Sequence, residues 1–125
     1  MRMESHGPRH VFMQDLKERS KRFALDVILY SRTLSKAEEF KIIKNQLIRS
    51  ATSTASNYRA TQRAKSRADF VNKMGTVEEE TDESFFWLEC LKSLAPREHA
   101  ELSRLLKEAD ELVSIFVTSR KRAKE

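Results

Sequence analysis

Apolar and small side chains recur along this 125-residue chain in four successive stripes, with alternating steps of three and four residues. Such steps keep side chains on one face of an α-helix. The stripes are Leu16, Ser20, Phe23, Val27, Tyr30 and Leu34; Phe40, Ile43, Leu47, Ala51, Thr54 and Tyr58; Phe70, Met74, Val77, Thr81, Ser84, Leu88 and Leu91; and Leu102, Leu105, Ala109, Leu112 and Phe116. Because no stripe can bury itself alone, the pattern predicts an all-α fold, an antiparallel up-down-up-down four-helix bundle.

Capping signals and prolines set the predicted helix boundaries. Residues 1–13 lack helical periodicity, so we expect a flexible N-terminal tail before a bundle domain at residues 14–122. Ser35-Lys36-Ala37-Glu38 has the form of a capping box, and Ser66-Arg67-Ala68-Asp69 is a looser version. Pro96 disfavours helix at the preceding residue and suits a first helical turn. The predicted helices run from about Asp15 to Thr33, from Ser35 to Gln62, from Ser66 to Leu94 and from Arg97 to Arg120.

Composition limits the class of protein. Glycine and proline number only two each, too few for a turn-rich β fold. Cys90 is the single cysteine, so no internal disulfide can form, which favours a reducing compartment. The first residues lack the apolar run of a secretory signal, and no stretch approaches the roughly 20 apolar residues that span a bilayer. We therefore expect a cytoplasmic protein with no membrane partner.

The second predicted helix carries only small side chains between Ser50 and Ser56. Small residues allow another helix to approach closely, so this run predicts a tight crossing, with loose packing as the alternative. Gly75 lies inside the third predicted helix, where glycine costs about 1 kcal/mol relative to alanine.

The third helix is predicted to carry an aromatic side chain on its outer face. Phe86 lies about 200° around the helix from Leu88, beside Glu79, Glu83 and Cys90. An exposed aromatic bordered by charge marks a partner surface, although single surface phenylalanines are common. We expect an oligomer contact here and take Glu79, Glu83 and Phe86 as candidate interface residues.

No residue pattern nominates a catalytic or metal site. A di-metal helical bundle needs Glu-x-x-His pairs that project inward, and the acidic run Glu78–Glu83 contains none. His6, His10 and His99 are scattered, and no phosphate-binding loop, nucleophile elbow or zinc spacing occurs. We therefore expect a protein that is not an enzyme and that holds no metal or cofactor.

The predicted up-down topology places many basic residues at one end of the bundle. In an up-down bundle, the start of the first helix, the second connection and the end of the fourth helix share one end. The candidate nucleic-acid-binding residues there are Arg59, Arg63, Lys65, Arg67, Arg120, Lys121 and Arg122, with Lys17, Arg19, Lys21 and Arg22 from the first helix. Such an end can neutralise phosphates without reading sequence, or its charges can pair with acids of this chain or a neighbouring subunit. Tyr58 belongs to the core stripe, so base stacking is not expected.

Several short motifs carry a family resemblance over about residues 15–118. They are Leu47-Ile48-Arg49-Ser50-Ala51-Thr52-Ser53 with Asn57; Ser66, Asp69 and Phe70; and Val77-Glu78-Glu79-Glu80-Thr81-Asp82-Glu83-Ser84 with Trp87-Leu88. In this order and spacing they resemble the four-helix bundle proteins encoded in 23S ribosomal RNA intervening sequences. Many relatives follow the Asn with a Glu-Gly pair, whereas this chain has Ala60-Thr61, so any role of that Glu does not carry over.

The resemblance implies a bundle that commonly assembles as a ring-like homopentamer. The bundle of this family is also similar in fold to the accessory variability proteins of diversity-generating retroelements, which bind nucleic acid and a reverse transcriptase. Carried onto this chain, the motif makes Arg49, Ser53 and Asn57 candidate interface residues. Arg49 should point outward, and we expect it to reach the acidic third helix of a neighbouring subunit.

Two functions remain open from the sequence. The first is a non-enzymatic oligomeric bundle whose basic end contacts RNA or DNA backbone. The alternative is a self-assembling structural or adaptor protein that docks a protein partner without nucleic acid.

Overall fold

Four helices make up the part of the chain that the structure describes. The structure, a computed structural model, describes residues 8–95 and 97–125, with side chains from Asp15 onward. The helices are α1 (Pro8–Ser31), α2 (Glu38–Thr61), α3 (Arg67–Leu94) and α4 (Ala100–Lys124). Each helix packs on the next along the chain, and α4 closes on α1 with the smallest contact of the four. The predicted all-α, antiparallel four-helix bundle is therefore confirmed.

The core follows the predicted stripes. Of the stripe residues, only Leu34, Phe40 and Phe70 are half-buried, and each lies at or beside a helix end. All the others are buried, among them the large side chains of Phe23 and Phe116. The rings of Tyr58 and Phe116 meet across the core with centroids 5.4 Å apart, so α2 and α4 touch through the centre of the bundle.

Two predicted caps have different outcomes. Ser66 caps α3 as expected: its hydroxyl accepts a hydrogen bond from the Asp69 amide at 3.0 Å, and the Asp69 carboxylate accepts one from the Lys65 amide at 3.0 Å. The predicted Ser35 capping box is wrong. Ser35 accepts from the Ala37 amide at 3.1 Å, and α2 begins only after the extended Ala37.

Two helix starts also differ from the prediction. α1 begins at Pro8, so residues 8–13 of the predicted tail belong to it, and the first seven residues lie outside the described part. Proline suits a first helical turn because its missing amide hydrogen is not needed there. α4 begins at Ala100 rather than Arg97 because extended backbone at His99 sets its imidazole edge-on against the Tyr30 ring, with centroids 5.3 Å apart. Pro96, assigned to the first turn, lies outside the described residues.

The predicted close crossing of α2 is confirmed. The hydroxyl oxygens of Ser50 and Ser84 lie 2.8 Å apart, and those of Thr54 and Thr81 lie 3.4 Å apart, with all four side chains fully buried. These pairs fix the register of α2 against α3. Within the described residues, no helix contains the extended apolar stretch that a membrane crossing requires.

Candidate nucleic-acid interface

The α2–α3 connection and the last turns of α4 meet at one end of the bundle, which we call the basic end. There Arg67, Arg120 and Lys124 line an open groove between α3 and α4, of about 580 Å³. The floor of the groove includes Gly75, and a Cβ at this position would lie 3.4 Å from Nε of Arg120. The missing side chain of Gly75 thus leaves room for the Arg120 guanidinium to lie along α3.

One cation of this groove is partly neutralised. Nη1 of Arg120 lies 3.5 Å from Oε1 of Glu78, an ion pair that is too long for a good hydrogen bond. Among the described atoms, Nε of Arg120 and Oε1 of Glu78 are buried without a hydrogen-bond partner. Arg120 therefore keeps hydrogen-bonding capacity that its own chain does not use.

The loop and terminal cations around the groove have no acidic partner among the described side chains. Within residues 15–95 and 97–125, no salt bridge includes any of six side chains, which are Arg63, Lys65, Arg67, Lys121, Arg122 and Lys124. All six are exposed, in the α2–α3 connection, at the start of α3 or at the end of α4. Helix α3 also begins here, and its N-terminus adds a partial positive charge.

The predicted basic cluster is divided in the structure. Arg59 lies with Lys17 and Lys21 in a second groove, between α1 and α2. The helices follow one another around the bundle in the order α1, α2, α3, α4, with α2 and α4 meeting across the core, so the α1/α2 and α3/α4 sides are opposite flanks. Arg59 thus lies in the last turn of α2, at the predicted end of the bundle, but it lines a different groove from Arg67 and Arg120.

Arg19 also lies outside the predicted basic cluster, because it is paired with acids of α4. Its guanidinium donates to Glu108 at 2.7 and 2.8 Å and to Glu111 at 2.8 Å. These hydrogen bonds raise the pKa of Arg19 further above its ordinary value. The residue closes the α1–α4 contact because the helix register sets it against the middle of α4, well before the basic last turns.

The predicted partner of Arg49 is corrected. Arg49 points outward as expected, but it pairs with Glu80 at 3.2 Å and with Glu83, both on α3 of the same chain. The Glu83 carboxylate also accepts from Nε1 of Trp87 at 3.0 Å. The hydrogen bonds from Arg49 and Trp87 lower the pKa of Glu83. This acid therefore stays charged and holds α2 to α3.

The remaining interface candidates lie on two surfaces. Ser53 and Asn57 are half-buried and follow Arg49 at steps of four along one side of α2. Glu79 is exposed and borders the α3/α4 groove. Phe86 is 49% exposed, with its ring edge-on to Trp87 at 4.8 Å, so its predicted outward position is confirmed. Its role as a contact stays a prediction.

Sequence reasoning missed an apolar surface on α1. Leu25 and Leu29 are 41% and 51% exposed, and Leu25 lines the α1/α2 groove with Ile28. The signal was available, because both leucines are off the core stripe of α1 and lie four residues apart on one face. Among the described residues, no group of three or more His, Cys, Asp or Glu side chains could hold a metal ion.

The chain is similar to known proteins in both sequence and fold. The sequence profile of the 23S rRNA-intervening sequence protein family matches residues 14–118. A crystal structure from Bacteroides thetaiotaomicron, described as a protein with unknown function from the S23 ribosomal protein family, is similar with a TM-score of 0.78 and 26% sequence identity. The match covers 87% of this chain and 97% of that chain. No curated protein is significantly similar to this chain.

Proposed function

The chain belongs to the 23S rRNA-intervening sequence protein family, and from this premise we propose that it is a self-associating, non-enzymatic helical protein that binds the phosphate backbone of RNA or DNA. The contact surface is the basic end. The observation that carries the proposal is the groove lined by Arg67, Arg120 and Lys124, flanked by exposed cations of the α2–α3 connection and the end of α4.

Charge rather than shape supports a phosphate ligand. Lysine and arginine bind phosphates and release the counterions condensed on a nucleic acid, which gives affinity that does not depend on sequence. Arg63, Lys65 and Lys121 are exposed and take part in no salt bridge within the described side chains, so they are available for such contacts. By comparison, Arg19, Arg49 and Arg104 are already paired with acids of their own chain.

Backbone contact is favoured over base recognition. Single-strand-binding surfaces that hold bases use aromatic side chains as stacking platforms. Tyr58, the last aromatic residue before the α2–α3 connection, is buried against Phe116, and Phe70, the first one after it, is half-buried against the core. The basic end therefore offers ionic contacts to phosphates and little discrimination between bases.

A binding role also agrees with the causes of the displaced side-chain pKa values. The displaced pKa values of Arg19, Glu83 and Glu101 follow from hydrogen-bonded ion pairs, each within or between helices of the bundle. Those of Tyr30 and Tyr58 follow from burial. Both causes are structural, and neither brings an acid and a base together for proton transfer.

Salt-dependent binding tests the proposal. Fluorescence anisotropy is measured with labelled single-stranded RNA, single-stranded DNA and duplex DNA of unrelated sequences over a series of salt concentrations. The variant Arg63→Glu/Lys65→Glu reverses two charges in the α2–α3 connection. For each phosphate that the variant no longer neutralises, the slope of log K against log salt should become shallower by about 0.7 on a single strand and about 0.9 on a duplex.

The matched control is Lys36→Glu/Arg97→Glu, which makes the same charge change in connections at the opposite end. This control should keep most of the affinity and the original slope. Absence of binding to every strand at about 50 mM salt would refute the function. An equal loss in both double variants would show a general effect of net charge and refute the assignment to the basic end.

A protein-docking function is the second candidate, and exposed apolar residues favour it. Leu25, Leu29, Ile42, Phe86 and Leu94 are each more than 40% exposed. Exposed apolar groups that lie together mark protein contacts more often than isolated ones do. Self-association without binding to any nucleic acid would support this adaptor function over the first.

A further inference from the structure

The α3/α4 groove contains one cation that is poorly satisfied by its own chain. The Arg120 guanidinium lies along α3 in the space that Gly75 leaves, and its Nη1 is 3.5 Å from Oε1 of Glu78. Nε of Arg120 and the same Oε1 are buried without a hydrogen-bond partner among the described atoms. Such atoms are rare in folded proteins, so the pair is a weak contact that a better anion can replace.

Arg19 shows what a well-made pair looks like in this bundle. It holds Glu108 and Glu111 through three hydrogen bonds of 2.7, 2.8 and 2.8 Å. Within the described side chains, Arg120 has Glu78 as its acidic partner and makes no hydrogen bond to it that is this short. The Arg120 side chain is also 34% exposed, so its guanidinium can turn from Glu78 into the groove while α4 stays intact.

The groove around Arg120 favours an anion of high charge density. Two further cations, Arg67 and Lys124, line it together with one acid, Glu79. None of these three takes part in a salt bridge among the described side chains. An incoming anion therefore competes with Glu78 for Arg120 and is repelled by Glu79, while Arg67 and Lys124 attract it.

Internal and terminal phosphates of a strand differ in their ability to replace Glu78. An internal phosphodiester carries one negative charge, as a carboxylate does, so the exchange gains Arg120 no charge. A terminal phosphate monoester carries about −1.5 to −2 at pH 7 and has three strong acceptor oxygens. Arginine binds such a group through two parallel N–H···O bonds, which are stronger than bonds between neutral groups. The monoester therefore offers Arg120 more than Glu78 does, and the diester does not.

We propose that the α3/α4 groove binds the terminal phosphate of a nucleic-acid strand, and that Arg120 exchanges Glu78 for this phosphate on binding. Arg67 and Lys124 supply the remaining positive charge, and the space over Gly75 lets the guanidinium turn. Glu78 is a positioning residue, which holds Arg120 in the groove when no strand is bound. The inference rests on the proposed nucleic-acid binding and specifies the group that this part of the basic end recognises.

Fluorescence anisotropy with differently terminated strands tests the ligand. One short internally labelled strand is made as RNA and as DNA, with a phosphate at the 5′ end, with a phosphate at the 3′ end, and with hydroxyls at both. The wild type should bind one or both phosphorylated forms about 10-fold more tightly than the hydroxyl form. In Arg120→Gln this ratio should fall to about twofold. Arg63→Gln removes the same charge from the exposed α2–α3 connection and should weaken all forms while keeping the wild-type ratio.

A double-mutant cycle tests the exchange itself. Glu78→Gln removes the competing carboxylate, so the phosphorylated strand should bind about 5-fold more tightly than to the wild type. The same change in the Arg120→Gln background should give no such gain, because the side chain that it releases is absent. Glu98→Gln makes the same charge change at the opposite end of the bundle and should leave the affinity within about twofold of the wild type. Circular dichroism should show equal helix content in all variants.

A nucleoside 5′-monophosphate separates a strand end from a free nucleotide as the source of the phosphate. It has the same terminal group but lacks the strand that reaches Arg63, Lys65 and Lys121. It should therefore displace the phosphorylated strand only at concentrations about 100-fold or more above the Kd of that strand. Displacement at concentrations near this Kd would assign the groove to free nucleotides and overturn the inference.

The outcomes separate this inference from nucleic-acid binding in general. No binding of any form at about 50 mM salt would refute both. Binding of all three forms with equal affinity would refute the terminal-phosphate site and leave the proposed function in place. The same holds if Arg120→Gln keeps the wild-type ratio, or if Glu78→Gln tightens binding equally with and without Arg120.

Discussion

The variant Ser84→Val tests how closely α2 and α3 pack. The hydroxyl oxygens of Ser84 and Ser50 are 2.8 Å apart, and both side chains are fully buried. A methyl group in van der Waals contact needs roughly 3.5 Å or more from its neighbour. The two methyl groups of valine therefore cannot fit unless the helices separate or the side chains leave their preferred rotamers.

The expected cost follows from two effects. Over-packing at a close helix crossing costs about 1–3 kcal/mol. Removal of the hydrogen bond costs about 1 kcal/mol, and helix propensity adds almost nothing because serine and valine are about equal in it. The free energy of unfolding should fall by about 3 kcal/mol, which for 125 residues lowers Tm by roughly 10 °C. Ser84→Ala keeps the space, and Ser50 still donates to the Leu47 carbonyl at 3.2 Å, so the cost should stay below about 1 kcal/mol.

Thermal and urea unfolding by circular dichroism measure both changes. All proteins are compared at one subunit concentration, because self-association makes Tm depend on concentration. Ser93→Val and Ser93→Ala are the matched controls, since Ser93 is exposed on the same helix and reports helix propensity alone. If Ser84→Val destabilises the protein no more than Ser93→Val, then the close α2–α3 packing is wrong.

Three further changes should have defined effects. Phe116→Ala removes a fully buried ring and should lower the free energy of unfolding by about 3–5 kcal/mol in urea denaturation; a change below about 1 kcal/mol would contradict its place in the core. Gly75→Ala should raise Tm, because alanine favours helix by about 1 kcal/mol and its Cβ meets only the flexible Arg120 side chain at 3.4 Å; a lower Tm would show that the Arg120 position cannot adjust. The pKa of Glu83 lies below its ordinary 4.5 because Arg49 and Trp87 donate to the carboxylate. Its stabilisation is therefore complete above that ordinary pKa and is lost as the pH falls through the lowered one. Glu83→Gln should have a lower Tm than wild type at about pH 7 and the same Tm at about pH 2, and an equal difference at both would refute the ion pair.

The helices and their buried faces could be predicted because their signals are local. Steps of three and four placed Phe23, Leu47 and Phe116 in the core, and the structure buries all three. Phe40 and Phe70 are only half-buried, since each lies in the first turn of its helix, where fewer neighbours cover it. The spacing specifies which face is buried but contains no information on how far the ends are covered.

Helix ends were less predictable because several backbone arrangements compete there. Ser35 and Ser66 both precede an acid by three residues, yet only Ser66 becomes a cap. The Ser35 hydroxyl instead accepts a hydrogen bond from the Ala37 amide, which closes a turn within the α1–α2 connection. α4 likewise begins later than expected, where the backbone at His99 is extended and its ring lies edge-on against Tyr30, a contact between residues far apart in the sequence.

The partners of charged residues could not be predicted, because they depend on the register between helices. Arg49 was expected to reach another subunit, but the Ser50–Ser84 contact brings Glu80 and Glu83 of its own α3 within reach. The same holds for Arg19, which the α1–α4 register sets against Glu108. A shift by one turn would change each of these partners and leave the stripes intact.

The cations lie on two flanks of the bundle, so nucleic-acid binding and assembly should depend differently on salt. Salt screens exposed charges over a Debye length of about 8–10 Å at physiological strength, whereas apolar burial is not screened. Among the side chains described from Asp15 onward, none of the exposed large hydrophobic residues lies at the basic end, whereas Phe86 and Leu25, on other surfaces of the bundle, offer apolar area for the proposed self-association. Nucleic-acid binding should therefore be lost at a lower salt concentration than assembly. The opposite order, with dissociation of subunits before release of the strand, would mean that burial of these apolar residues contributes little and that the assembly depends on charge alone.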